Sequence, residues 1–114
     1  MDTLKHSRVN VMVKEMDRSI KFYVNVLGLE LVNHWGDHYA EVKARDLLIG
    51  LHPSSEKVSI GNSISIGFGV SNFEETMKTL ESKGIEFKIE QDGWISLAHF
   101  TDPDGNPLYL AENK

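Results

Sequence analysis

The feature that most constrains this chain is a succession of elements that occurs twice. Residues 8–13 alternate polar and apolar, with Val9, Val11 and Val13 on one face, the pattern of a half-buried strand. The period then changes. Met16, Ile20, Tyr23 (or Val24) and Leu27 recur at helical spacing, with Asp17 placed to cap the helix and Gly28 to end it. Strands are predicted at 29–35, 39–43 and 47–52, separated by the turns Gly36-Asp37 and Ala44-Arg45-Asp46. A polar, turn-rich stretch covers 53–62, and then the order repeats. Residues 63–70 alternate, with Ile64, Ile66, Phe68 and Val70 on one face. Phe73, Met77 and Leu80 mark a helix capped by Ser71 or Asn72 and ended by Gly84, and strands follow at 85–90, 94–101 and 107–112.

The order is therefore βαβββ, linker, βαβββ. Met16, Ile20 and Tyr23 correspond to Phe73, Met77 and Leu80. After a slip of one residue, Gly28-Leu29-Glu30-Leu31 corresponds to Gly84-Ile85-Glu86-Phe87. This predicts an α+β fold of two modules, 1–52 and 63–114, joined by a linker at 53–62 within a single domain, 1–114. In each module a helix covers one face of a small sheet. The other face stays open, and two such faces can line a cleft. Strand parity assigns Val9, Val11, Val13, residues 47, 49 and 51, Ile64, Ile66, Phe68, Val70, Leu108 and Leu110 to the helix side. The open side receives Arg8, Asn10, Met12, Leu48, Gly50, His52, Ser65, Gly67, Gly69, Pro107, Tyr109 and Ala111.

Composition narrows the function classes. The formal net charge of -5 disfavours nucleic acid and anionic membrane as partners. With no cysteine, thiol catalysis, disulfides and thiolate-ligated metals are excluded. The first residues carry no long apolar run, no segment reaches transmembrane length, and a cytoplasmic protein is expected.

Two segments add a resemblance. Ser19-Ile20-Lys21-Phe22-Tyr23-Val24-Asn25-Val26-Leu27-Gly28 is similar to the S-x-x-F-Y-x-x-x-L-G helix exit of the vicinal oxygen chelate superfamily, which includes glyoxalase I, fosfomycin and bleomycin resistance proteins and extradiol dioxygenases. Phe100-Thr101-Asp102-Pro103-Asp104-Gly105-Asn106 resembles that superfamily's F-x-D-P-D-G-N hairpin. Read as turn chemistry, Pro103 presets φ, Gly105 accepts a positive φ, and Asp102 and Asn106 bond local backbone. The spacing of Asp102 and Asp104 is too short for a calcium loop of the EF-hand kind.

The resemblance implies a divalent metal in the metalloenzyme members, held by a His or Gln on the first strand, a Glu or His on the fourth, a His on the fifth and a Glu on the eighth. Carried over, those positions are Arg8, Gly50, Ser65 and Tyr109, none of them a normal ligand. His6 and His52 lie two residues from such positions on the same parity, and Glu112 has the wrong parity. No metal and no other cofactor is therefore expected.

The open side offers a different set of groups. Gly50, Gly67 and Gly69 either leave room for a ligand or mark close backbone approach. Tyr109 is the leading pocket residue. Trp35 and Trp94 either line the mouth of the cleft or pack an edge, Tyr39 is a further aromatic candidate for ligand contact, and Tyr23 belongs to the core. His99 and His52 either hydrogen-bond a ligand, with His99 also able to carry a proton, or stand satisfied at the surface; His34 and His38 flank an exposed turn. Arg8 either clamps a carboxylate or phosphate or forms an ion pair.

The expected function is metal-free binding of a small aromatic or cationic compound, nearest to the bleomycin-resistance branch. Homodimers with shared pockets are what that resemblance implies. The alternatives are a metal-dependent lyase, isomerase or dioxygenase with ligands from places such as His52 and His99, and a small regulatory or immunity partner that uses the sheet face for protein contacts.

Overall fold

Alternating strands and two helical runs give the architecture that the repeat demands. The computed structural model describes residue 3 and residues 7–54 and 64–112. The chain divides into two compact units, Met1–Ile60 and Gly61–Lys114.

The first unit contains β1 (Val9–Val13), α1 (Met16–Ile20), β2 (Glu30–Trp35), β3 (Tyr39–Ala44) and β4 (Leu47–Pro53). Its sheet runs β1-β4-β3-β2, with β1 parallel to β4 and the other pairs antiparallel. The second unit contains β5 (Ile66–Val70), α2 (Phe73–Glu81), β6 (Lys88–Asp92), β7 (Ile95–Thr101) and β8 (Pro107–Glu112). Its order is β5-β8-β7-β6, with the same parallel pairing of first and last strand. Identical topology in both halves establishes the repeat. The stretch 55–63, which includes most of the predicted linker 53–62, lies outside the described residues.

The first helix departs from a simple 3.6-residue reading. After α1 it continues as a wider π-type helix over Lys21–Val26, where the Leu27 amide bonds the Phe22 carbonyl at 3.0 Å, five residues back. The wider turn lets consecutive Phe22 and Tyr23 both reach the interior, packed edge to face at 5.3 Å. Gly28 then adopts φ +78° and the Leu29 amide bonds the Tyr23 carbonyl, closing the helix as expected. The cap is not Asp17. The helix starts at Met16 after extended Glu15 with no side-chain cap, because starting earlier buries Met16, and Asp17 falls in the first turn. Asn72 precedes α2, also without a side-chain cap bond.

Val11, Val13, Met16, Phe22, Tyr23, Ala40, Val42, Ile49 and Leu51 form the core of the first unit. Ile66, Phe73, Leu80, Ala98, Phe100, Leu108 and Leu110 form that of the second. Each fully buried large aliphatic or Phe side chain contributes about 1.5–3 kcal/mol relative to exposure. Ile64, expected on the helix side, is 67% exposed: β5 begins only at Ile66, so Ile64 has no strand to orient it. Phe87, expected within a strand, leads into β6 and packs against Phe100 at 5.3 Å. Among the described residues, no helix is long and apolar enough to cross a membrane.

The hairpin between β7 and β8 is built on Asp102. Its carboxylate accepts from the Asp104 amide (2.9 Å), the Asn106 amide (2.8 Å) and the Asn106 side-chain amide (2.8 Å), while Gly105 takes φ +87°. Those bonds turn the carboxylate into its own loop, the role of a turn former.

Candidate functional site

The side of the first sheet facing away from the buried Ala40, Val42, Ile49 and Leu51 carries a polar row. The register aligns Asn10 with Gly50, Gly50 with Glu41, and Glu41 with Asn33. Glu41 is the unexpected member. It is only 6% exposed, and alternation in Tyr39-Ala40-Glu41-Val42 turns it opposite the core. A buried carboxylate needs partners. Asn33 Nδ2 donates to Glu41 Oε1 at 2.8 Å, the Tyr39 hydroxyl approaches Oε2 at 3.3 Å, and Arg8 Nε lies 3.6 Å from Oε2.

Tyr39 is the hub of this cluster. Its hydroxyl also donates to Asn10 Oδ1 at 3.0 Å, so one proton serves two acceptors. Trp35 stacks on its ring at 5.8 Å and 18°, the Arg8 guanidinium lies 5.9 Å from the ring centroid, and His52 meets it edge-on at 6.3 Å. Burial, and next the Glu41 charge, push the Tyr39 phenol above its usual range; Arg8 partly opposes this. His52 is fixed by an Nδ1 bond of 2.9 Å to the Pro53 carbonyl, so that nitrogen carries the proton. The structure thus unites Arg8, Trp35, Tyr39 and His52 in one place. It adds Glu41, Asn10 and Asn33, which sequence reasoning left out as site residues. The available signal was a carboxylate set between two core residues of one strand.

In the second unit, Gly67 pairs with Tyr109 and Tyr109 with His99. The Tyr109 and His99 rings are 5.8 Å apart, and His99 Nε2 lies 2.7 Å from Glu90 Oε1. Glu90 is a further residue that the sequence did not single out. Register makes His99 the counterpart of Glu41, Tyr109 that of Gly50, and Gly67 that of Asn10. Trp94 stands on the turn between β6 and β7, 81% exposed.

Gly50 and Gly67 resolve toward close approach rather than ligand space. A Cβ on Gly50 would collide with Asn10 Oδ1 and the Tyr39 hydroxyl, and one on Gly67 would collide with the Tyr109 ring. The volume freed at each is filled by the protein's own tyrosine.

The same geometry tests the metal that the resemblance implies. At the four inherited positions stand Arg8, Gly50, Ser65 and Tyr109, and the space beside Gly50 is taken. Among the described residues no three His, Asp or Glu side chains are grouped to hold a metal ion; His6 lies outside those residues. These residues do not fit that group.

Comparison with known proteins agrees with the fold. A lactoylglutathione lyase of Schizosaccharomyces pombe (strain 972 / ATCC 24843) is 28% identical over 138 residues, covering 91% of this chain and 46% of that protein. The chain thus spans less than half the length of that relative. Among solved structures, a glyoxalase family protein from Bacillus anthracis superposes with a TM-score of 0.82 at 19% identity, over 97% of this chain and 96% of the other. TnmS3, an antibiotic binding protein from Streptomyces sp. CB03234, gives 0.81 at 22% identity, over 98% of both chains. A superfamily member from Sphaerobacter thermophilus DSM 20745 gives 0.80 at 24% identity, over 99% and 100%. At such identities the likeness is one of fold. A family model, in contrast, matches residues 5–110, nearly the whole chain, and on that match this chain belongs to the Glyoxalase/Bleomycin resistance protein/Dioxygenase superfamily.

Proposed function

We propose that the chain is a metal-free, small-molecule-binding member of this superfamily, nearest to its bleomycin-resistance-like branch. It holds a small aromatic or cationic compound and acts as a homodimer, each subunit a single domain of modules 1–52 and 63–114 joined by 53–62. The observation that carries the reading is the first sheet's open side. An aromatic stack of Trp35 and Tyr39 stands beside a polar node centred on Glu41, while the fourth-strand ligand position is a glycine whose space Tyr39 fills. Stacked aromatics suit a flat ring. The antibiotic binding protein with the same fold is consistent with such a role.

Elemental analysis of the purified protein with a metal titration is the first test; stoichiometric, tight metal sinks the metal-free reading. Native mass spectrometry then looks for a co-purified compound. Ligand binding should fall in Tyr39→Ala and Trp35→Ala, and unchanged binding in both would show the first unit's site assignment to be wrong; Tyr109→Ala and His99→Ala test the second unit's own candidates in the same way. The second reading, a metal-dependent lyase, isomerase or dioxygenase with nonstandard ligands, draws on the lactoylglutathione lyase likeness. It requires the metal that the same titration seeks.

A further inference from the structure

We infer that the cluster around Tyr39 is an anion subsite that takes the carboxylate of a flat aromatic acid, with the acid's ring against Trp35. This rests on the small-molecule-binding reading above and names its ligand class.

Hydrogen-bond bookkeeping decides the sign of the ligand. The one carboxylate in the cluster, Glu41, is already engaged. Oε1 accepts from Asn33, and Oε2 faces both the Tyr39 hydroxyl and Arg8 Nε. A cationic ligand would reach little of the Glu41 carboxylate, which is only 6% exposed, and would meet the charge of Arg8. The uncommitted groups are mainly donors. A guanidinium has five N–H groups. Arg8 turns Nε to Glu41 and interacts with the Tyr39 hydroxyl, and its remaining N–H groups have no acceptor among the described residues. Asn10 uses Oδ1 for Tyr39, and its side-chain amide N–H groups likewise have no acceptor among the described residues. Arg8 and Asn10 are two apart along the strand direction and both touch Tyr39, so their free donors belong to one neighbourhood.

Preorganisation favours the same ligand. The Glu41 ion pair lies on the Nε side of Arg8, so the terminal N–H groups not turned to the Tyr39 hydroxyl remain for contact with a carboxylate. Trp35, 53% exposed and parallel to Tyr39, offers a ring face beside it. The overall negative charge does not oppose this, because exposed charges more than about 8–10 Å away are largely screened at physiological salt.

The test is calorimetric titration of the full chain with 4-nitrobenzoate and with 4-nitrobenzylamine, which share the ring and differ in charge. The acid should bind saturably and the amine at least about tenfold more weakly. Arg8→Gln should weaken the acid on the order of tenfold or more, the loss expected for a charged hydrogen-bonding group. Arg8→Lys keeps the charge beside Glu41 without the fork and should recover only part of that loss. Trp35→Ala should weaken the acid while leaving thermal unfolding near wild type. Should Arg8→Gln fail to fold, Arg8→Lys and Trp35→Ala carry the test. No saturable binding of the acid, equal or tighter binding of the amine, or an acid affinity untouched in folded Arg8 variants would overturn the inference. Preference for the amine would do so while leaving the small-molecule reading intact. Stoichiometric metal overturns that earlier reading whichever probe binds.

Discussion

Tyr39 shows how one side chain can set the character of a surface. Its ring closes the gap above Gly50, its hydroxyl links Asn10 to Glu41, and its face receives Trp35. Burial and the Glu41 charge both favour the neutral phenol, so its folded pKa lies above the ordinary 10.0. Between these two values the folded state binds more protons than the unfolded state. Stability from this group is therefore complete below pH 10.0 and is lost as the pH rises through the folded value. The phenolate absorbance lost in Tyr39→Phe should belong to a group that titrates above the ordinary range. Glu41→Gln should bring it down toward the ordinary value, and Arg8→Gln should move it further up. Shifts in the reverse sense would contradict the assigned causes. Neither Glu41 nor its partners could be chosen from sequence alone, because a Glu in a strand is ordinarily solvated. Only β2, which carries Asn33, and Tyr39, which reaches over Gly50 on β4 to Asn10 on β1, make this one a buried node.

At the scale of elements, each sheet uses a glycine to admit a tyrosine. Gly67→Ala would drive a methyl group into the Tyr109 ring and should destabilise by about 1–3 kcal/mol, the usual range for overpacking. In the Tyr109→Ala background the same change should cost much less. Denaturant unfolding of the four proteins reads the coupling directly, and simple additivity would rule out the contact as the cause. The β7–β8 hairpin supplies a second expectation. Asp102 is 3% exposed and accepts three bonds from its own turn. Asp102→Ala leaves the buried donors of Asn106 without this acceptor and should cost about 1–3 kcal/mol or more in thermal or denaturant unfolding. The turn chemistry was legible because Asp-Pro-Asp-Gly-Asn fixes local dihedrals. The π-type widening of the first helix was not, because it answers to the burial of Phe22 and Tyr23 together, which depends on packing against the sheet.

At the scale of the whole molecule, the two units share one topology but not one chemistry. Glu41 in the first stands where His99 stands in the second, and the two tyrosines that fill glycine gaps come from different strands, β3 and β8. The proposed homodimer also belongs to this scale. Edge strand β2 is exposed along its whole length, with Leu31 39% and Val32 42% accessible, a surface suited to cover by another chain. Light scattering should give twice the monomer mass, and Leu31→Lys with Val32→Lys should shift it to monomer; a wild-type monomer at micromolar concentration would refute the dimer. The sequence alone determined the α+β class, the doubled βαβββ order, the sheet faces of most strands and the closing turn, since these follow from periodicity and local dihedral preference. Tertiary structure decided what the open faces hold. Register brought Arg8, Asn10, Asn33, Tyr39 and Glu41 together from three strands and one strand's approach, and filled the spaces at Gly50 and Gly67 with tyrosines. Contacts between residues far apart in the chain depend on register and side-chain reach, and neither is written in any single stretch of sequence.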